Sequence, residues 1–406
     1  MGSTKFRFRR AAAALSLSCL GAAPLLAETS PLSIHPEGYG LEVSGHTSRE
    51  RAMGEAGMAS INRRGPSLYN PSRTAWNEKT SFAATLETDV DWIRDDLTSN
   101  RTSSFVIPEI ALNFQTKWPV NVGLHYRQRY QRDFSFTPLN PSNPEAIQSF
   151  ATEGGLYEFA ATVAYAPTSF LALSLGYNLM LGRERIIESA VFNQDPGAPD
   201  LYNGANLEGD TLSIRSSGGY PSVSATFRTR NFSLAASGRL DATLERTLER
   251  SITHVPSSQK SSEDRDLPWS AMVGGAYKLK ANQTLVADFS YESWDNRESG
   301  LLNPAFRAGA GYEYQGSGGP YESLSRKVAY RGGLGFERLY LNETDLYFLT
   351  VGAGLPLGRR GNMLDIALKY GHRGTLENNL WTEDFLKLSV TLTGVSVWGK
   401  PIRKRR

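Results

Sequence analysis

The chain has 406 residues, 21% of them charged, and a formal net charge of +3. So small a charge on so long a chain argues against a nucleic-acid partner. The one cysteine, Cys19, lies in a stretch expected to be removed on export, which leaves no thiol for disulfides, nucleophilic catalysis or thiolate metal sites. The first element in chain order is that export signal. Lys5, Arg7, Arg9 and Arg10 form a basic start, Ala11 to Ala27 supplies an apolar stretch, and residues 1–27 read as a cleaved signal peptide. Cys19 lacks a Leu three residues earlier, so a lipoprotein anchor is not expected. Residues 28–79 show no sustained alternation, are too long for a simple leader, and are expected to fold as a separate plug.

From residue 80 onward one unit recurs: a strand, a short turn, a strand, a longer polar loop. No stretch here is apolar and long enough for a transmembrane helix, but barrels escape that test because lumen-facing residues dilute the signal. Phe82 to Trp92 alternates, with Glu87, Asp89 and Asp91 on the wet face. Val106 to Phe114 follows with its even positions outward and Glu109 and Asn113 inward. Val120, Val122, Leu124, Tyr126 and Tyr130 then oppose His125, Arg127 and Arg129. Tyr157 to Tyr165 and Leu171 to Leu181 set apolar rows against Glu158, Ser174 and Asn178. Leu212 to Phe227 changes phase near Gly218 and Gly219, which reads as a bulge.

The longest alternating stretch is Phe232 to Glu249. It places Leu234, Leu240, Ala242, Leu244 and Leu248 outward, and Arg239, Asp241 and Glu245 inward. A two-faced strand so much longer than the usual five or six residues points to a barrel wall in lipid. Ser257 to Asp266 reads as a polar loop, as do Pro138 to Glu153 and Asn193 to Asp210. Further strands carry Asp288, Arg307, Arg331, Glu337, Asp365 and Lys369 inward, ending with Leu386 to Thr393. The stretch Gly316 to Ser325 falls on the short-turn side despite its length.

The parse predicts an all-β fold, a transmembrane antiparallel up-and-down β-barrel of about fourteen strands over 80–398, with a hatch in its lumen and a basic tail at 399–406. The final strand must pair with the first, because unpaired backbone groups in lipid cost several kcal/mol each, on the order of 4–8 for transfer to an inert apolar medium. Trp398 could anchor at the interface. Contacts with outer-membrane lipid and lipopolysaccharide, and with the barrel-assembly machinery during biogenesis, follow from that placement.

The inward charges carry both signs and cannot stay unpaired in a dry interior. They form either a salt-bridged, hydrated lumen that holds the hatch, or a polar conduit or carboxylate-binding site. An enzyme is the rival class. His35, His46, His125, His254 and His372 lie in no nucleophile motif, and no two have metal-ligand spacing. Gly352-Ala353-Gly354 lies in an alternating strand rather than before a helix, so it is no nucleotide loop. No catalytic residue, metal or cofactor is expected.

Two words in the plug segment, Ala52-Met53-Gly54-Glu55-Ala56-Gly57-Met58-Ala59 and Tyr69-Asn70-Pro71-Ser72, resemble the FadL/TodX family of outer-membrane transport proteins. The C-terminal words Thr350 to Leu357 and Tyr370 to Thr375 look like those of FadL-type barrels of Gram-negative bacteria, including the PorV branch. The resemblance implies an outer-membrane location and passive uptake of hydrophobic compounds, such as long-chain fatty acids or hydrocarbons, gated by the hatch. Asn70 and Pro71 match the hatch motif, and Ser72 replaces its usual Ala. Gly54 and Gly57 are turn or close-packing positions in the same gate. The PorV branch implies the alternative, an accessory barrel that holds cargo or secretion-system proteins.

Overall fold

The structure is a computed structural model and describes residues 30–34, 38–60, 65–116, 118–136, 146–192, 207–253, 258–294, 302–316, 323–341, 344–357, 361–379 and 381–396. The expected signal peptide, Trp398, the basic tail, His35 and His254 lie outside the described residues. So do the parts of the two outer loops at 138–145 and 193–206.

The strands are, in order, β1 (Leu41–Glu42), β2 (Thr80–Arg94), β3 (Ser99–Gln115), β4 (Val120–Gln131), β5 (Phe134–Phe136), β6 (Ala146–Tyr165), β7 (Leu171–Phe192), β8 (Leu207–Arg228) and β9 (Phe232–Arg239). They continue with β10 (Ala242–Ile252), β11 (Gln259–Leu267), β12 (Ser270–Lys280), β13 (Gln283–Glu292), β14 (Ala305–Tyr314), β15 (Ala329–Arg338), β16 (Asp345–Leu357), β17 (Asn362–Arg373) and β18 (Thr382–Ser396). All neighbours pair antiparallel, and β18 returns to β2 from Thr382↔Arg94 to Ser396↔Thr80, which closes the sheet. Because β4 with β5, β9 with β10, and β11 with β12 are each one interrupted strand, the closed barrel has 14 staves. Among the described residues no helix is long and apolar enough to cross a membrane.

The alternation has a physical cause visible in the exposure. Leu175 (63%), Leu349 (62%) and Leu334 (60%) point out of the wall, whereas Thr350, Asp365 and Arg331 beside them are buried in the lumen. An apolar outer band with a polar interior is stable only in lipid. Val351 lies in the middle of such an outward row, so Val351→Arg should lower stability in vesicles by about 2–4 kcal/mol. Urea titration of the reconstituted protein checks this, and an unchanged midpoint would argue against a lipid-facing row.

Several expectations are corrected. Val106 points inward, not outward, because β3 shifts register against β2 between the Thr85 and Glu87 pairs. Pro108, which has no N–H to give, sits in that irregularity. Tyr130 is fully buried in the lumen, because β4 shifts against β6 between Gln128 and Tyr130 and leaves Arg129 as the extra residue. On β8 no bulge occurs: its pairing with β7 runs unbroken from Leu171↔Phe227 to Val191↔Leu207.

The break lies instead on the neighbouring strand, at Leu240 and Asp241 between β9 and β10, opposite Pro268 and Trp269. Beyond it the faces swap, so Ala242, Leu244 and Arg246 are buried inside, while Asp241 and Glu245 are exposed rather than lumen-facing. Leu244 packs over Gly218, where an added Cβ would come within 2.5 Å of its side chain. Asp241 uses its carboxylate to accept the Trp269 N–H across the break at 2.5 Å. Ser257 to Asp266 is mostly strand β11, which extends the wall beyond the apolar band by pairing with β10. On the turn side, Gly316 to Ser325 leads into a single helical turn, Leu324–Lys327. At the loop end Asp95 closes the β2–β3 connection by accepting the Leu97 and Thr98 N–H groups, which hold its carboxyl below the usual range.

Candidate functional site

The described residues between 30 and 79 run down the inside of the barrel from the loop end to the turn end. At the top, Ser30 donates to Glu383 (2.7 Å) at the start of β18, and β1 pairs with β4 through Leu41↔Gln131 and Glu42↔Tyr130. Midway, the Ser48 N–H donates to Thr391 Oγ1 (2.7 Å), the Gly54 N–H to Thr350 Oγ1 (2.9 Å), and the Gly57 and Met58 N–H groups to Asp288 (2.7 and 2.9 Å). Near the bottom, Asn70 donates to Thr226 (2.8 Å) and to the Met58 carbonyl (2.8 Å). Pro71 opens the short helix Pro71–Trp76, and Ser72 bonds both Asn70 (2.6 Å) and Thr226 (2.8 Å). The hydroxyl that distinguishes Ser72 from Ala therefore ties this turn to the wall.

Gly54 has φ +72°, and it lies flat against β14 and β15. A Cβ there would come within 2.6 Å of the Ala310 carbonyl oxygen and overlap that of Leu334. Only glycine combines that backbone angle with so close an approach. Glu55, next to it, holds a left-handed backbone at φ 58° and points into the centre of the lumen. Such strain persists where the surroundings over-determine it.

The surroundings are ionic. Glu55 meets Lys369 (3.0 Å), Arg307 (3.5 Å) and Arg51 (4.0 Å), and Arg51 also pairs with Glu87. Arg307 continues to Glu337 (3.0 Å) and Glu42 (3.8 Å). A second group joins Arg49 to Glu313 (2.7 Å) and Arg331 to Glu313 (2.8 Å) and Asp365 (2.7 Å). Through Glu87 the first group also reaches Lys387 (3.9 Å) and Asp89 (2.8 Å from Lys387), and a third group joins Arg127, Arg129 and Arg239 to Glu158 and Glu292. Glu109 and His125 face the lumen, their side chains without a hydrogen-bond partner among the described residues. Asp241 and Glu245 take no part in these groups, since both are exposed beyond the strand break.

The sequence reading missed the partners inside the N-terminal segment: Glu42, Arg49, Arg51 and Glu55. Their signal was the charged run Arg49-Glu50-Arg51 beside small residues, an arrangement that a solvated turn does not need. It also missed the dry cluster at the loop end, where Trp294 stacks on Tyr340 at 4.5 Å and Tyr39 on Tyr130 at 5.6 Å. Leu32, Leu41, Leu244 and Leu267 belong to the same cluster.

One part of the wall is open. β3 and β4 pair only from Glu109↔Arg127 to Gln115↔Asn121. Above this, among the described residues, Ser99 to Pro108 of β3 has no strand partner on its β4 side, because β4 bends inward at Arg129 and gives its edge to β1. The Val43 N–H extends that inner pairing by donating to the Arg129 carbonyl (2.9 Å). Phe105 and Ile107 flank the opening on the lipid side, and Val106 faces inward beside it. Unpaired backbone at membrane depth is tolerated only where it lines a cavity or is covered by protein.

The architecture matches solved barrels. A FadL homologue of Pseudomonas aeruginosa aligns at a TM-score of 0.64, with 11% identity over 87% of this chain and 99% of that one. The toluene transporter TodX of Pseudomonas putida aligns at 0.55, with 13% identity over 87% and 98%. The toluene transporter TbuX of Ralstonia pickettii aligns at 0.54, with 14% identity over 86% and 98%. At these identities the likeness is one of fold: a FadL-like barrel of the outer-membrane type. No curated protein matches the sequence. The family model described as BamG matches residues 12–403, from the apolar stretch of the N-terminus through the closing strand, and the chain accordingly belongs to the BamG family.

Proposed function

We propose that the protein is an outer-membrane channel for passive uptake of hydrophobic compounds, such as hydrocarbons or long-chain fatty acids, with residues 28–79 as its hatch. The observation that carries this reading is the opening between β3 and β4. An apolar solute gains free energy by staying out of water, and the unpaired gap at the level of Phe105 and Ile107 offers a side route between lumen and lipid. The likeness to barrels described as toluene transporters supports the same reading. Gating follows from the hatch lining the opening: β1 holds the inner edge of β4, so movement of residues 41–43 changes its width.

Vesicles containing the mature protein should take up labelled toluene or a labelled long-chain fatty acid faster than protein-free vesicles. Val106→Trp, which fills the opening, should slow that uptake severalfold in a barrel that still folds. Equal uptake with and without protein would refute the channel, and unchanged uptake in the variant would refute the side route.

A second reading, an accessory barrel that binds secretion or barrel-assembly proteins, is favoured by the ion pairs that fill the lumen around Glu55 and by membership of the BamG family. Affinity capture of the intact protein from envelopes, recovering such components while vesicle uptake stays at background, would replace the first reading with this one.

A further inference from the structure

The turn end of the barrel carries charge of one sign. Among the described residues it exposes Lys79, Arg230, Lys280 and Arg326, with Arg228, Lys278 and Lys327 half-buried beside them, against the single exposed carboxylate of Glu78. Glu313 and Asp365 lie behind, buried in their pairs with Arg331. The loop end, by contrast, mixes signs in pairs such as Arg250 with Asp210 and Arg338 with Asp345. Backbone bonds set the basic connections side by side: the Arg228 N–H donates to the Phe170 carbonyl (2.8 Å), the Lys278 N–H to that of Asn231 (2.7 Å) and the Gln315 N–H to that of Asn282 (2.7 Å). No carboxylate among the described residues pairs with Arg230, Lys278 or Lys280. By sequence the connections at this end add Lys117, Arg359 and Arg360 against Glu322. Beyond β18, which ends on this side at Ser396↔Thr80, follow Lys400, Arg403, Lys404, Arg405 and Arg406.

Next to this arc the outer face is aromatic. The rings of Phe170 and Phe227, and of Phe227 and Phe232, lie 5.9 Å apart, and Tyr277, paired with Phe232, and Tyr312 continue the row. Exposed rings of this kind mark the level of the lipid head groups, so Arg230 and Lys280 stand where lipid phosphates lie. Farther up the same strands is an outward groove of about 770 Å³. The cross-strand neighbours Gly275, Ala287 and Ala310 form its floor between Leu234 and Leu334. Gly275 and Lys280 both belong to β12, and at about 3.4 Å per residue they are about 17 Å apart along it, which matches the roughly 15 Å depth of one leaflet.

A groove wide enough for an alkyl chain, one leaflet's depth from cations that no carboxylate neutralises, fits one class of ligand. The geometry points to a site on the outside of the barrel for an anionic glycerophospholipid of the leaflet on the short-turn side, with its phosphate at Arg230 and Lys280 and an acyl chain over Gly275, Ala287 and Ala310. Each Lys or Arg near an anionic lipid surface favours binding by about fivefold, whereas a zwitterionic head group brings its own cation against the arc. The site is independent of what crosses the lumen, because lipid retention rather than uptake reads it.

Native mass spectrometry of the detergent-solubilised mature protein with equimolar phosphatidylglycerol and phosphatidylethanolamine tests it. Retention of one phosphatidylglycerol, preferred about fivefold or more, is expected. Arg230→Glu combined with Lys280→Glu should lower that retention about tenfold or more and remove the preference. Ala287→Trp, which fills the groove, should lower retention of both lipids severalfold while the preference stays. Both variants should keep the heat-modified migration of a folded barrel, and Arg185→Glu, exposed toward the loop end, should leave retention unchanged. Equal retention of the two lipids by the unaltered protein, or undiminished retention in either folded variant, overturns the proposal, as does a second copy of the chain held in the lipid's place.

Discussion

Replacing Gly54 by valine should lower the stability of the reconstituted barrel by about 2–5 kcal/mol, from the left-handed backbone penalty and overlap with fixed atoms. The position has φ +72°, and the atoms a side chain would strike are wall carbonyl oxygens of Ala310 and Leu334, which cannot swing aside as a flexible side chain would. The segment around Gly54 rather than the barrel should give way, because β14 and β15 stay paired from Phe306↔Arg338 to Tyr314↔Tyr330. The variant should therefore keep its strand content by circular dichroism while urea titration shows an earlier loss of the segment. Full stability in the variant would mean that the segment around Gly54 does not rest on this wall.

The second large effect concerns Glu55, whose side chain is 1% exposed and meets Lys369, Arg307 and Arg51. Glu55→Ala leaves those cations facing one another in the centre of the lumen, with a loss of about 3–5 kcal/mol. Adding Lys369→Met should recover part of that loss, because the worst-placed unpaired charge goes with it. The comparison by urea titration separates an ion-pair role from simple packing. If the double variant were as unstable as the sum of the two singles, the pair would not be coupled.

The period-two pattern made the barrel legible, since each strand shows its own two faces within a few residues. What it could not show is where a face swaps. The residues on either side of Leu240 and Asp241 each alternate correctly, and joining them as one strand put Leu244 in lipid and Asp241 in the lumen. A break of one or two residues is invisible to a period count unless a marker such as Pro268 on the adjacent strand is weighed with it. Pro108 carried the same message for Val106, and Gly218 carried a misleading one. Its missing side chain makes room for Leu244, and β8 itself runs on without a shift.

The candidate site was legible on the wall and obscure in the segment inside it. Wall charges such as Arg331 and Lys369 announce themselves by alternation. Arg51 ends a single helical turn, Ser48–Arg51, and Glu55 lies in the turn that follows, where nothing periodic distinguishes an ion aimed at a partner from one aimed at water. The Asn70-Pro71 turn could be placed only through its resemblance to known barrels, and the β3–β4 opening depends on pairings between residues far apart in sequence.

A single reversible lock tests hatch and channel together. Ser48 and Thr391 touch, with Oγ atoms 2.8 Å apart, and the chain's one cysteine is Cys19. In the mature Ser48→Cys, Thr391→Cys protein, oxidation should form the cross-link and stop toluene uptake into vesicles, and reductant should restore it. Failure of the two cysteines to join in the folded barrel, or uptake that runs at the same rate locked and unlocked, would contradict a hatch threaded through the lumen as the gate.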